Sequence, residues 1–254
     1  MIKKLPQKIF FVTFVSSSQL LSQQFTPGSP EWLVDMFFSK SNFPDKANYF
    51  TGEMEKESDQ KTIGEELNGE AKVSFDQIKA TNSTCVFATE VQTESKTIDF
   101  YIYLVKDSDR WKINSVRRFL LPSFIYTVRD SLLMINALTA SDSVFLLSLQ
   151  LFTASDVELK NYLNSNLDKF QELISLFENN EKDKADIALA SIGCNAIYND
   201  KKYPGCTFIR ILKFENLEAG FIQAAYAILL PAISFEEFIF IEEVVPGWFI
   251  YRTM

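Results

Sequence analysis

The sequence predicts an α+β fold made of two small helix-plus-antiparallel-sheet domains in series. Apolar residues follow a helical period before Glu70 and a period of two after it, and the same succession repeats between Pro122 and Thr253. Helices followed by strands, twice over, mark two α+β units rather than one alternating α/β sheet. The 254 residues exceed the commonest domain size of roughly 100–150, and 47% hydrophobic against 23% charged residues supplies the apolar surface for a packed core.

The elements follow in chain order. Thr26 to Pro30 is a punctuated linker, in which Ser29 as cap and Pro30 at the first helical position open a short helix, Glu31 to Ser39. Pro44 and Asp45 restart a second helical piece through Phe50, and the polar, Gly-punctuated stretch Gly52 to Gly69 reads as a surface loop with an irregular turn. Four strands follow, carried by Val73 and Phe75, by Cys85 to Val91, by Ile98 to Leu104, and by Trp111 to Arg118. The last two form a hairpin through the turn Asp107-Ser108-Asp109. Pro122 opens an apolar helix to about Leu138, and Ser141-Asp142 caps another from Val144 to Phe152. Residues 120–153 thus form a helical connector between a domain at 30–119 and one at 154–254. Ser155 and Glu158, spaced as a capping box, head one helical stripe from Val157 through Phe177, and a further helix ends near Ser191. The tail returns to strands at Cys206 to Phe214 and Gly220 to Leu229, and closes on a hairpin, Phe235 to Val245 and Trp248 to Thr253, around Pro246-Gly247.

At the N-terminus Lys3, Lys4 and Lys8 precede the apolar run Ile9 to Val15 and then Ser16, Ser17 and Ser18. Positive, apolar and small residues in that order predict a secretory signal peptide over residues 1–22, and with it a periplasmic or secreted protein. The alternative is a first β-strand, Lys8 to Val15, in a cytoplasmic protein. The apolar run falls short of the ~20 residues that span a bilayer, so no membrane span is expected.

Composition excludes whole classes of chemistry. A net charge of −8 repels nucleic acid, and no nucleic-acid partner is expected. The chain has no histidine, which removes His-based triads, Cys–His dyads and His-ligated zinc. No Gly-rich phosphate loop or dinucleotide fingerprint is present; no cofactor, no metal and no catalytic residue is assigned.

Candidate residues remain. Asp99, Tyr101 and Tyr103 share one face of a strand and, with Trp32 and Tyr49, would line a polar-aromatic ligand pocket; the alternative is that the tyrosines cover a sheet rim. Glu236-Glu237 and Glu242-Glu243 are not pairs in space on a strand, since neighbours point to opposite faces, and they read as a solvated sheet face. Lys112, Arg117 and Arg118 form a small basic cluster at a strand end, and Asn82-Ser83-Thr84 reads as a turn. If the protein is exported, Cys194 and Cys206 are expected to form a disulfide across the turn-rich segment 195–205, with Cys85 reduced in the sheet; the alternative is that Cys194 and Cys206 are two buried thiols.

Two short helices, a polar loop and long meandering strands ending in Tyr101-Ile102-Tyr103-Leu104-Val105 and Arg110-Trp111-Lys112-Ile113 resemble the nuclear transport factor 2-like, or cystatin-like, α+β roll over residues 30–119. That resemblance implies a cone-shaped sheet of a kind that serves isomerases, dehydratases and transport adaptors. Its catalytic members place a His and an Asp in the cone, and the His is missing here. The stretch from Gly205 to Thr253, ending Gly247-Trp248-Phe249-Ile250-Tyr251-Arg252-Thr253, resembles small uncharacterised bacterial domains that end in a Trp-aromatic strand. The expected function is non-catalytic binding of a small ligand or a protein partner. The alternatives are a His-free roll-type enzyme using Asp99 with Tyr101 or Tyr103, and a cytoplasmic acidic inhibitor of a basic partner.

Overall fold

The computed structural model describes residues 25–94 and 96–254, so the expected leader lies outside the described residues. The fold is α+β in two parts. Ser29 caps α1 (Pro30–Ser39), its hydroxyl accepting from the Trp32 N–H. Helical turns at Lys46–Tyr49 and Gly52–Glu57 and the short helix α2 (Ile63–Glu66) lead into β1 (Lys72–Ala80), β2 (Thr84–Gln92), β3 (Thr97–Asp107) and β4 (Arg110–Arg117). These strands make an antiparallel meander in the order β1-β2-β3-β4. Ser108 and Asp109, both at positive φ (48° and 71°), form the two-residue turn whose twist suits a hairpin.

The second part comprises α3 (Ser123–Leu133), α4 (Ala140–Phe152), α5 (Asp156–Ser165), α6 (Leu167–Glu178) and α7 (Lys182–Ser191), and then β5 (Ala196–Asn199), β6 (Cys206–Phe214), β7 (Leu217–Ala224), β8 (Phe238–Val245) and β9 (Trp248–Thr253). Its five strands are ordered β5-β6-β7-β9-β8, so β9 is inserted between its hairpin partner and β7. Gly220 permits the tight packing there: a Cβ at that position would strike the Ile209 carbonyl and meet the Tyr251 ring at 2.9 Å.

Several local expectations are corrected. The polar stretch 52–69 is not a plain loop, because Thr62 and Glu65 form a reciprocal capping box that nucleates α2. Thr139, not Ser141-Asp142, caps α4. The stripe from Val157 to Phe177 is two helices, broken at Asn166, whose side-chain amide donates to the Tyr162 carbonyl and so competes with the helical ladder. The apolar run after Gly220 leaves the sheet at Ala224 and turns at Ala227–Leu229.

The expected Cys194–Cys206 disulfide is not formed, and all three cysteines are free and buried. The intervening segment is not all turn. It contains β5, which pairs with β6 from Asn199↔Thr207 to Ala196↔Arg210, and the Asn195 N–H donates to the Arg210 carbonyl. Cys194 therefore lies beyond Arg210, four positions along β6 from Cys206. At ~3.3 Å per residue that is about 13 Å, beyond the roughly 4.4–6.8 Å reach of a disulfide.

The cores explain how the two parts meet. The inner face of the first sheet (Phe87, Phe100, Ile102, Leu104, Ile113) is covered by Leu33, Val34, Phe37 and Phe38 of α1. Its outer face joins the second part: Val86, Tyr101 and Tyr103 are buried with residues of α4 to α7 and of the second sheet, among them Phe152, Phe170, Phe221 and Phe240. Arg117 of β4 adds a polar tie, its Nε donating to the Phe235 carbonyl at 2.8 Å while its Nη2 pairs with Glu53 at 2.7 Å. Among the described residues no helix is long and apolar enough to cross a membrane.

Candidate functional site

The five ligand-pocket candidates do not converge. Trp32 and Tyr49 pack edge-to-face, ring centres 5.2 Å apart, beside Phe43 on the inner side of the first sheet. Asp99, Tyr101 and Tyr103 point to the other side, as strand alternation requires. There the tyrosines are consumed by the contact with the second part. The Tyr103 hydroxyl donates to the Ile239 carbonyl at 2.6 Å, and Tyr101, fully buried and stacked on Phe240 at 4.8 Å, has its hydroxyl 2.8 Å from an Asp156 carboxylate oxygen.

Asp99, unlike the two tyrosines beside it, lines an open cleft. The half-buried carboxylate accepts the Asp156 N–H at 3.0 Å, and so occupies the N-terminus of α5 beside the Ser155/Glu158 capping box. Burial pushes the Asp99 carboxyl up to about 7; the Asp156 carboxylate adds to the rise, while Arg252 and the Asp156 N–H oppose it. Behind Asp99, Arg252 and Asp156 form a buried ion pair, with Nε to Oδ1 at 2.7 Å and side chains 3% and 8% exposed. Arg252 also donates to the Ala154 carbonyl at 2.7 Å and lies 4.6 Å over the Phe119 ring. The carboxylate has two donors, the Tyr101 hydroxyl and Arg252 Nε, and the guanidinium has in addition a carbonyl and a ring face, which is how a buried pair meets its desolvation cost.

This assembly forms the floor of a cleft of about 690 Å³ between the end of the first sheet, the segment after β4, and α3, α4 and α5. Three of the chain's six arginines line it: Arg118, Arg129 and Arg252. Phe119, Leu121 and Phe152 give it an apolar wall, and Lys96, Glu90 and Glu158 lie on its rim. The charges differ in their commitments. Glu158 is bound to the Ser155 N–H and hydroxyl at 2.7 and 2.9 Å, Asp99 to the helix end, and Arg252 to Asp156. Arg129 spends three of its five N–H donors on Thr153 and Asp130. Arg118 rests against the Phe100 ring at 5.8 Å, and among the described residues neither it nor Lys96 is in an ion pair. Glu90, directly across the strand pair from Asp99, is the rim acid with no such tie.

Sequence reasoning missed Asp156, Arg129 and Arg252. One signal for Arg252 was present: a charge inside Trp248-Phe249-Ile250-Tyr251-Arg252-Thr253, a strand apolar on both faces, needs a buried partner. The basic cluster at 112–118 divides, since Lys112 pairs with Asp107 at 2.8 Å, Arg117 ties the two parts together, and Arg118 enters the cleft.

Two other acidic groups lie outside the cleft. Glu242 is not part of a solvated face as expected: it is half-buried, pairs with Lys160 of α5 at 2.5 Å, and has its Oε2 buried without a partner. Glu218 accepts from Tyr251 at 2.6 Å and Tyr198 at 2.9 Å, a satisfied structural network on the second sheet. Among the described residues no cluster of three or more carboxylate or cysteine side chains is arranged to hold a metal ion. No protein-family model, no curated protein and no solved structure matches this chain.

Proposed function

We propose that this is a non-catalytic binding protein that holds a small molecule in the cleft at the N-terminus of α5. The observation that carries the reading is the uncommitted positive charge of Arg118, Lys96 and the spare donors of Arg129 beside the apolar wall of Phe119, Leu121 and Phe152, on a chain whose net charge is −8. Export belongs to the same proposal, on the order of charges and apolar residues over 1–22. So does kinship of residues 30–119 with the nuclear transport factor 2-like roll, which the packing of α1 on the inner face of a four-stranded meander supports.

A thermal-shift screen of small metabolites tests the reading, run on the wild type and on Val157→Trp, which fills the cleft from an exposed position on its rim. Ligands that stabilise the wild type lose that effect in the variant. A screen with no hits, or hits indifferent to Val157→Trp, would retire the cleft as the binding site.

One observation favours a second reading, a His-free enzyme in which Asp99 acts as a base, because its carboxyl is pushed up to about 7 in a cleft. The acids expected to partner it, Tyr101 and Tyr103, are buried and bonded elsewhere. Turnover of a cleft ligand by the wild type and not by Asp99→Asn would favour this reading over binding alone.

A further inference from the structure

Beyond Arg129 a second groove of about 490 Å³ adjoins the cleft. It shares Arg129, Thr153, Ala154 and Glu158 with the cleft, and adds Leu133, Leu147, Leu151 and Tyr162. The two cavities differ in chemistry. One carries Arg118 and Lys96; the other, apart from the shared residues, is built of three leucines, a tyrosine and Gln150. Arg129 stands on the ridge between them, anchored by Thr153 at 2.8 Å and by Asp130, and lying 5.4 Å from the Tyr126 ring. An anchored guanidinium with two free donors is preorganised for an oxyanion, because little side-chain freedom remains to be lost on binding. The Tyr162 hydroxyl is already bonded to the Ile192 carbonyl, so that residue offers the groove its ring.

Resting on the cleft reading above, we infer that the ligand is an amphipathic monocarboxylate of the fatty-acid class. Its carboxylate sits on Arg129 and Arg118, and its alkyl chain runs along Leu133, Leu147 and Leu151. A short organic anion would leave the leucine groove empty. A neutral alkane derivative would leave Arg118 without a counter-charge and the two spare donors of Arg129 without an acceptor. One molecule that is charged at one end and apolar along its length satisfies both cavities at once.

Isothermal titration with acetate, octanoate, decanoate and dodecanoate below their micellar concentrations, with dodecanol as the uncharged control, tests the inference. Affinity should rise about three- to fourfold per methylene among the longer acids, the increment for burying a CH₂ group. Arg129→Gln should weaken dodecanoate about tenfold and leave dodecanol unchanged, with Arg118→Gln taking its place if that variant does not fold. Leu133→Asp should remove the dependence on chain length. Met134→Asp, 84% exposed at the end of α3 and outside both cavities, should change nothing. Chain-dependent binding that survives Arg129→Gln and Leu133→Asp but falls with Met134→Asp would overturn the inference, since the chain would then be lying on the exposed face of α3. Acetate binding as tightly as dodecanoate would also overturn it, while leaving the cleft reading intact. No binding of any carboxylate overturns it too, and the Val157→Trp screen then decides the fate of the cleft separately.

Discussion

The two faces of the first sheet use one strand for opposite purposes. Along β3, Ile98, Phe100, Ile102 and Leu104 face α1 in a core with almost no polar content, whereas Asp99, Tyr101 and Tyr103 face the second part of the molecule. The inner face is held by area alone. The outer face combines area with directed bonds, Tyr101 to Asp156, Tyr103 to the Ile239 carbonyl and Arg117 to the Phe235 carbonyl. An aromatic face carrying hydroxyls can be the wall of a ligand pocket or the seam between two parts of one chain, and here most of it is seam, with an open cleft left at its Asp99 end.

The largest effects should come from breaking each face at its strongest point. Phe38→Ala, on the inner side, removes a fully buried ring and should cost about 3–5 kcal/mol in chemical denaturation. Arg252→Ala, on the outer side, strands the Asp156 carboxylate and should cost a similar ~3–5 kcal/mol, although Arg252 belongs to a strand 96 residues away from its partner. Equal losses from the two variants would show that the directed seam matters as much as the apolar core; a loss below ~1 kcal/mol in Arg252→Ala would mean that the seam is held by area as well.

Tyr101→Phe sharpens the comparison by deleting one bond and keeping the ring on Phe240. Its expected cost is about 1–3 kcal/mol, the penalty for removing one donor from a buried carboxylate. A neutral result would assign the pairing of Asp156 to Arg252 alone.

The smallest effects are in the pH dependence, and they have opposite signs in the two regions. Near the inner core Glu65 is lowered to about 2: burial works against the charge, but hydrogen bonds from Lys46 and from the Thr62 and Phe43 N–H groups outweigh it. Its contribution is present above the unfolded value near 4.5 and lost as pH falls toward 2. At the seam Asp99 is raised to about 7, with Asp156, Arg252 and Glu90 facing it, so its contribution is full below about 4 and fades as pH rises through 7. Urea midpoints from pH 2 to 8 should therefore lose part of their acid-side slope in Glu65→Gln, Glu53 being lowered as well, and part of their fall between pH 4 and 7 in Asp99→Asn. An unchanged profile in either variant would remove that group from the account.

Local rules made much of the fold legible and little of the site. Ser29-Pro30, the alternation along β1 to β4 and the Asp107-Ser108-Asp109 turn act over a few residues and were read directly. So was the hairpin around Pro246-Gly247. The Thr62/Glu65 capping box was equally local and was overlooked because its surroundings are polar. The break at Asn166 is harder, since both sides keep one apolar stripe and only a side-chain bond to Tyr162 interrupts the ladder. The site depends on partners brought together by tertiary packing. Asp156 read as an ordinary acid at a helix start, and nothing near it in sequence points to Arg252 or to Tyr101, 55 residues earlier. The cysteines failed for a related reason: four residues of β5 decide the register, and their composition does not announce a strand.

The strand order of the second sheet has a consequence for how the chain is made. The meander β1 to β4 is complete once Arg117 has been synthesised, whereas Ile239 and Phe240, which cover Tyr103 and Tyr101, come more than 120 residues later. At ~5–20 residues per second that interval is on the order of 6–25 s. Throughout it the outer face, with Val86, Tyr101 and Tyr103, lacks the strand that covers it. A nascent chain halted between β4 and β8 should bind trigger-type holding chaperones through that face, and a chain extended past Thr253 should release them.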